Sequence, residues 1–380
     1  MIASPASPAF SPELRLLLTL ARGALGRDGA PPDATGVDWR RFVAAVERHR
    51  LAPFLLAHAG TVLAAHCPRD VVERVRASAV QSLRRSLAQT AELFRLTDAL
   101  AAAGISSFTI KGVVLAQQLH GQPAARFSGD LDLVVTPHDA GAADAALQAA
   151  GLRRTWPEFP LTPRQLSAFV RAKPDFEYQL AHSDEPLRIE LLWRLEGAPA
   201  DHAVTTVSLA GRDVRTLSLG DHALLLFQHG ARHAWFRLFW LVDIARLLER
   251  DDLDWAALRL RACAAGSERA LRQGVALAVE LFGSPIPAAL ADAPASGRLL
   301  AEARRQIVRT PRRNESIVEW MRQLRYRLRL ARGASAKWRV LVPHLFTPGN
   351  WRVWRLPDRW FWLYYPATPF LWLWRLLRRR

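Results

Sequence analysis

Two aspartates at alternate positions, Asp130 and Asp132, enter an apolar run, Leu131-Asp132-Leu133-Val134-Val135. In a strand, residues two apart share a face. Asp130, Asp132 and Val134 therefore point one way, and Leu131, Leu133 and Val135 the other. Two close carboxylates repel each other and are best tolerated with a cation between them. Their oxygens suit Mg²⁺, with Mn²⁺ as an alternative, held by one or two carboxylates plus substrate phosphates. Upstream, Ser106-Ser107-Phe108-Thr109-Ile110 reads as a strand that breaks at Lys111-Gly112 before a helix, Val113–His120. Such a turn presents free N–H groups at a helix start, a ready anion site. Lys111 can neutralise a triphosphate as a point charge. Arg126 can do the same or pair with Asp130, and Ser128 and Gly129 let the backbone approach phosphate closely. A phosphate cradle beside paired metal carboxylates is equipment for phosphoryl or nucleotidyl transfer.

A third carboxylate, Glu190, lies in Leu187-Arg188-Ile189-Glu190-Leu191-Leu192-Trp193. Amid apolar residues it is costly unless paired or metal-bound; the plainer alternative is an exposed position on a half-solvated strand. As a metal ligand it is also the candidate base for the acceptor hydroxyl. Asp-x-Asp alone is a weak signal, because Asp252-Leu253-Asp254 repeats it before a helical run, where aspartates act as an N-cap and first-turn charges. His229 and His233 are spaced i, i+4 on one helix face, a spacing that can suit a metal, although no third His or Cys ligand lies nearby in sequence. Asp243 falls in helical register with Phe236 and Trp240 and could orient a histidine. A buried structural cluster is the alternative for all three.

Lys111-Gly112, then Arg126, then Asp130-Leu131-Asp132 before an apolar strand, resemble the uncharacterised bacterial nucleotidyltransferase family of the DNA-polymerase-β-like superfamily. The likeness recurs at Arg188–Trp193 and at His229-Gly230-Ala231-Arg232-His233. It implies an α+β fold: a polymerase-β-like core of mixed sheet and helices, flanked by an N-terminal helical segment and a C-terminal helical bundle. It implies a Gly-containing turn that holds the triphosphate, an Asp-x-Asp pair that binds two metals, and a third carboxylate on a later strand. Carried over, Asp130, Asp132 and Glu190 are catalytic metal ligands. Lys111, Gly112, Arg126, Ser128, His229, His233 and Asp243 face the nucleotide. The family commonly has Asp within an Asp-Leu-His-Trp run, where this chain has Glu190 and, for the histidine, Leu192. The implied activity is Mg²⁺-dependent transfer of a nucleoside monophosphate from an NTP such as ATP to an acceptor hydroxyl, with loss of pyrophosphate. The competing reading is a non-catalytic membrane-associated or RNA-binding protein on a decayed transferase fold.

The length of 380 residues suggests two or three domains. The expected division is a helical lead-in over 1–103, the α/β core over 104–218, a helical bundle over 219–300 and a basic tail over 301–380. Helices are expected over Pro12–Gly23, Asp38–Ala57 and Arg69–Ala103, the last burying Leu83, Leu87, Leu93 and Leu96. Pro137–Ala150 reads as a helix closed by Gly151. Phe176–Ala181 and Leu187–Trp193, joined by His182-Ser183-Asp184-Glu185-Pro186, read as a hairpin, as do Val204–Leu209 and Val214–Leu217. Asp221 is the expected cap of a helix reaching His233. Further helices are expected over Leu238–Glu249, Trp255–Ala265 and Glu268–Phe282.

The net charge of +17 belongs to the tail, where 19 basic residues face 4 acidic ones from Ala301 onward. There Trp351, Trp354, Trp360, Trp362, Trp372 and Trp374 alternate with arginines. Trp and Arg together suit an anionic membrane surface, with nucleic acid ranking behind it and packing on the protein's own body as the plain alternative. The apolar stretch around Trp360–Trp374 is broken by Pro366 and Pro369 and falls short of the roughly 20 residues a spanning helix needs. The two cysteines, Cys67 and Cys263, have no metal or disulfide spacing. The expected location is cytoplasmic, with peripheral attachment to the inner membrane face.

Overall fold

A computed structural model describes residues 10–27, 31–180, 187–195, 201–292, 295–309, 317–345 and 348–378. The chain opens with four helices: α1 (Pro12–Ala24), α2 (Trp39–His49), α3 (Ala52–His66) and α4 (Arg69–Ala102). Next come β1 (Phe108–Ile110), α5 (Gly112–His120), β2 (Asp130–Val134), α6 (Ala140–Ala149), β3 (Leu152–Trp156), α7 (Pro163–Ala172), β4 (Asp175–Leu180), β5 (Arg188–Leu192), β6 (Val204–Leu209) and β7 (Arg212–Leu217). The remainder is helical: α8 (Leu219–Arg232), α9 (Leu238–Leu247), α10 (Trp255–Ala265), α11 (Glu268–Phe282), α12 (Gly297–Val308), α13 (Ile317–Leu330), α14 (Ala334–Leu345), α15 (Gly349–Val353) and α16 (Tyr364–Arg378). The fold is α+β, with one open, mixed sheet of strand order β3-β4-β5-β2-β1-β7-β6.

The chain divides into two compact units. The first comprises Met1–Ala91, Ile110–Ser128 and Glu196–Arg332. In its core, Leu16, Leu17, Phe42 and Leu55 of the opening helices join Phe227 and Phe282 of the later ones and Trp235 of the turn between α8 and α9. The helix expected over Asp38–Ala57 is two helices. Arg50 between them takes a left-handed conformation (φ 57°), and Pro53 starts the second. The expected cap of α8 is also corrected. Ser218, not Asp221, is the cap, and its hydroxyl accepts from the Asp221 amide. Asp221 is fully buried, accepting from Ala203 N–H at 2.8 Å and facing Arg261 at 2.6 Å. The β6–β7 joint is shorter than expected. Ala210 and Gly211 alone make the turn, both at positive φ (51° and 79°), as a tight hairpin requires.

In this unit α4 reverses its expected face. Leu83 and Leu87 are exposed, at 39% and 63%, while Ser82, Ser86 and Gln89 are buried. Serine and glutamine at i, i+4 and i+7 carry no apolar signal, so hydrophobic periodicity chose the opposite face. Among the described residues, the side-chain polar atoms of these three have no hydrogen-bond partner. Leu93 and Leu96, further along α4, are fully buried as expected.

The second unit comprises Glu92–Thr109, Gly129–Leu195 and Gly333–Arg380. Here β2 pairs with β5 in parallel, and β4 pairs with both β3 and β5 antiparallel. The β4–β5 pairing matches the expected hairpin, although its joint at His182–Pro186 lies outside the described residues. Leu131, Leu133, Ile189, Leu191, Phe176 and Tyr178 are all buried. Phe169 of α7 stacks on Phe176 at 5.0 Å, and Trp193 meets Phe176 edge-on at 4.8 Å. Sequence periodicity missed β3 and α7. The α7 start shows a capping box, with Thr162 and Gln165 each accepting from the other's amide, and Pro at the first turn. After Gly333, part of the chain packs back on α7. The Thr162 hydroxyl donates to Asp358 at 2.5 Å, and Trp351, Phe361 and Tyr364 are buried.

Candidate active site

In the first unit the anion turn is held in an unusual backbone shape. Lys111 has φ 53° and ψ −140°, and Gly112 follows at φ 49°. A lysine at positive φ is uncommon and persists only where its surroundings impose it. Those surroundings are a chain of hydrogen bonds. The Lys111 N–H donates to His222 Nε2 at 3.0 Å. Since Nε2 accepts, the Nδ1–H of the neutral ring donates to Gln118 Oε1, 2.8 Å away. Gln118 Nε2 then donates to the Leu217 carbonyl at 3.2 Å. Burial, with Arg126 and Lys111 nearby, holds the His222 pKa down to about 3, so the ring stays neutral. The Lys111 amide is thus committed to His222 rather than open to an anion, which corrects the simplest picture of a free turn. The later amides of the first helical turn have no intrahelical acceptor.

Arg126 pairs with Asp243. Its Nε lies 2.9 and 3.0 Å from the two carboxylate oxygens, and both residues are buried. His120 Nε2 is 3.8 Å from the same carboxylate. Asp243 therefore orients an arginine and faces His120. His229 and His233 instead pack on each other at 4.8 Å and on Trp240 at 5.2 and 5.5 Å. Burial holds both rings well below their ordinary pKa, helped for His229 by Lys111 and for His233 by Arg232. Neutral, half-buried rings between aromatics read as packing elements beside the Lys111 and Arg126 charges. Phe127 is flanked by two further cations, Arg50 at 4.0 Å and Arg85 at 5.4 Å from its centroid. Ser128 is buried.

The carboxylates belong to the second unit. Asp132 is opposite Glu190 across β2 and β5, and Glu177 is opposite Glu190 across β4 and β5. Residues in register share a sheet face at strand spacings of about 4.8 Å. Three carboxylates thus stand abreast, and Asp130, two residues from Asp132, is opposite Arg188 on the same face. The Thr109 hydroxyl donates to the Asp132 carbonyl at 2.7 Å, fixing β2 against β1. Asp132 is buried, whereas Asp130, Glu177 and Glu190 are half-buried. Among the described residues, no three His, Cys, Asp or Glu side chains converge closely enough to enclose a metal ion. An open row of hard oxygen donors still fits a cation that takes its other ligands from water and substrate phosphates. It does not suit a closed structural site.

Two participants were not singled out from sequence. His222 shares a helix face with His229 and His233 at i+7 and i+11, a periodicity that could have revealed it. Glu177 alternates with Phe176 and Tyr178 in Asp175-Phe176-Glu177-Tyr178, the pattern of a one-sided strand.

A family model described as uncharacterised nucleotidyltransferase matches residues 35–283. The chain belongs to this family. No significant match is found among curated proteins or among solved structures. The family makes the protein a transferase and points to nucleotidyl transfer in general. Among the described residues no helix is long and apolar enough to cross a membrane.

Proposed function

We propose that the chain transfers a nucleoside monophosphate from a nucleoside triphosphate, ATP being the first to test, to a hydroxyl of an acceptor, with release of pyrophosphate. The observation that carries this is the parallel register placing Asp132 beside Glu190 on one face of the sheet, with Asp130 two residues away. Like charges so placed are unfavourable alone and useful with a cation. Asp130, Asp132 and Glu190 would hold Mg²⁺ or Mn²⁺, which supplies Lewis-acid stabilisation of charge on the transferring phosphoryl group. Glu190 accepts the proton of the acceptor hydroxyl. The acceptor oxygen forms a bond to the α-phosphorus as the bond to pyrophosphate breaks. Lys111 and Gly112 hold the polyphosphate, the lysine by charge and the glycine by leaving the backbone uncovered. The strained φ at Lys111 and the His222–Gln118 chain behind it support a turn shaped for binding. Arg126 and Ser128 face the nucleotide, Asp243 orients Arg126, and His229 and His233 support this side as packed neutral rings. The test is Mg²⁺-dependent transfer of label from α-labelled nucleotides onto cell extract or onto the protein itself. Loss of transfer in Asp132→Asn supports the reading; unchanged transfer in that variant removes it.

We also infer that the chain attaches peripherally to an anionic membrane, on the cytoplasmic side, through its C-terminal segment. Trp360, Trp362, Tyr365 and Phe370 are exposed, at 45 to 75%, between arginines. Amphipathic aromatics and cations together suit the headgroup layer.

A further inference from the structure

Between α12 and α13 lies a cavity of about 1010 Å³. Arg298, Arg304 and Arg305 line it from α12, and Arg322, Arg325 and Arg329 from α13. Three of these cations are matched by carboxylates: Arg304 by Glu280, Arg305 by Glu302 and Arg322 by Glu319. Among the described residues, Arg298, Arg325 and Arg329 make no ion pair, and all three are exposed. The walls are not loose helices. Gln273, fully buried on α11, donates to the Leu299 carbonyl of α12 at 2.7 Å, and its Oε1 lies 3.0 Å from the Tyr326 hydroxyl of α13. The single proton of that hydroxyl is shared between Gln273 Oε1 and the Ala231 carbonyl, which lies 2.7 Å away. One amide thus fixes the spacing of both walls.

We propose that this groove binds the phosphate backbone of a single-stranded nucleic acid. Arg322, Arg325 and Arg329 are three and four residues apart, so they form a stripe along one face of α13. Charge spread along two helices suits a chain of phosphates better than a single one, and arginine's planar fork suits phosphate oxygens. A flat bilayer cannot enter a concave site of this kind. None of the groove's arginines is among the residues proposed for transfer or for membrane attachment, and the proposal does not depend on the transfer reaction.

The experiment is fluorescence anisotropy of a labelled 12-nucleotide oligouridylate with the full-length protein over a range of salt. The comparison is Arg298→Ala/Arg325→Ala/Arg329→Ala, whose melting should match the wild type because the three side chains are exposed. The wild type should bind, and the triple variant should bind at least about tenfold more weakly at moderate salt. Losing three phosphate contacts should also reduce the slope of log affinity against log salt by about 2. The single charge reversal Arg325→Glu should weaken binding in the same direction. The proposal is overturned if the wild type fails to bind or the triple variant binds unchanged. It is equally overturned if polyglutamate or anionic vesicles bind through the same three arginines as tightly as the oligonucleotide does.

Discussion

The backbone N–H of Lys111 donates to Nε2 of His222 at 3.0 Å, across more than a hundred residues of sequence. This bond holds a lysine at φ 53°, where lysine does not settle by itself. It makes a helix residue with no charge at neutral pH the support of a charged turn. His222→Ala should cost about 1–3 kcal/mol, the penalty of a buried donor left unpaired. The same variant should weaken nucleotide binding, because Lys111 is then free to relax. Urea denaturation and calorimetric titration with nucleotide measure the two effects. Normal stability together with normal nucleotide affinity would show that the bond supports nothing.

Acid should unfold the protein from an unusually high starting pH. Burial holds His222 and His49 down to about 3, against an ordinary value near 6.5. The unfolded chain therefore takes up protons between pH 6.5 and 3 that the folded chain refuses. Stability is fully present above about pH 6.5 and falls as pH drops through that window. The slope is about 1.4 kcal/mol per pH unit for each histidine. His229 and His233 shift the same way. Denaturation midpoints at pH 7.5, 6.5, 5.5 and 4.5 should fall steadily below 6.5, and His222→Asn should flatten the fall by one proton. A midpoint that is constant down to pH 5 would contradict the buried neutral rings.

The carboxylate row should respond unequally to neutralisation. Asp132→Asn and Glu190→Gln should abolish label transfer while leaving stability unchanged or slightly raised, since each removes a like-charge repulsion. Glu177→Gln, at the end of the row, should reduce transfer less. Asp252→Asn is the control. Its exposed pair with Arg250, at 2.6 Å, is worth about 1 kcal/mol or less, so transfer should persist. Equal loss in all four would point to a general folding defect rather than to a site.

Gln89→Leu should stabilise the protein. Gln89 is 1% exposed, and neither side-chain amide atom has a hydrogen-bond partner among the described residues. Replacing a buried unpaired amide by an apolar side chain of similar size recovers about 1–3 kcal/mol of desolvation penalty. The denaturant midpoint should rise with an unchanged slope. A lower midpoint would mean that the amide has a partner in solution, such as an ordered water.

The C-terminal segment should divide its tryptophans between two tasks. Trp351 packs inside the unit, whereas Trp360 and Trp362 face outward. Full-length protein should sediment with anionic vesicles, lose part of that binding with salt and shift its Trp emission to the blue. Trp360→Ala/Trp362→Ala/Phe370→Ala should remove the salt-resistant part without unfolding the protein. Deleting everything after Pro348 is a poorer test, because it also removes Asp358 from Thr162 at the α7 start. That truncation should lower stability, because it removes this acceptor and the buried Trp351, Phe361 and Tyr364. Unchanged vesicle binding in the triple variant would move the attachment elsewhere.

Elements with strong local signals were legible from the residues. Asp254 caps α10 as expected, and α10 and α11 have the expected ends. The Asp-x-Asp strand and the Glu190 strand were recognisable, but their mutual register was not, because pairing between distant strands leaves no mark on either one. Arg126 reaching Asp243 is of the same kind: a buried ion pair joined through tertiary structure. The buried face of α4 was misread for another reason. Periodicity reports where apolar residues lie, and this face is built from Ser82, Ser86 and Gln89.

Gly230, inside the His229–His233 motif, has one more consequence. A Cβ at this position would come within 2.1 Å of the Trp235 ring, which is fully buried and also presses on Gly274. Trp235 itself is at φ 54°, with its amide on the Gly230 carbonyl at 2.9 Å. The indole is a wedge driven against the helix it has just left, and it has room only where two other positions have no side chain. Positions 227, 230, 235 and 274 should therefore drift as a set in descendants of this chain, because Phe227 also presses on Gly274. A larger residue at Gly230 becomes tolerable only after the tryptophan has shrunk, and one at Gly274 only after Phe227, 2.6 Å from a Cβ there, has given way as well, so the order of substitutions is constrained as well as their identity.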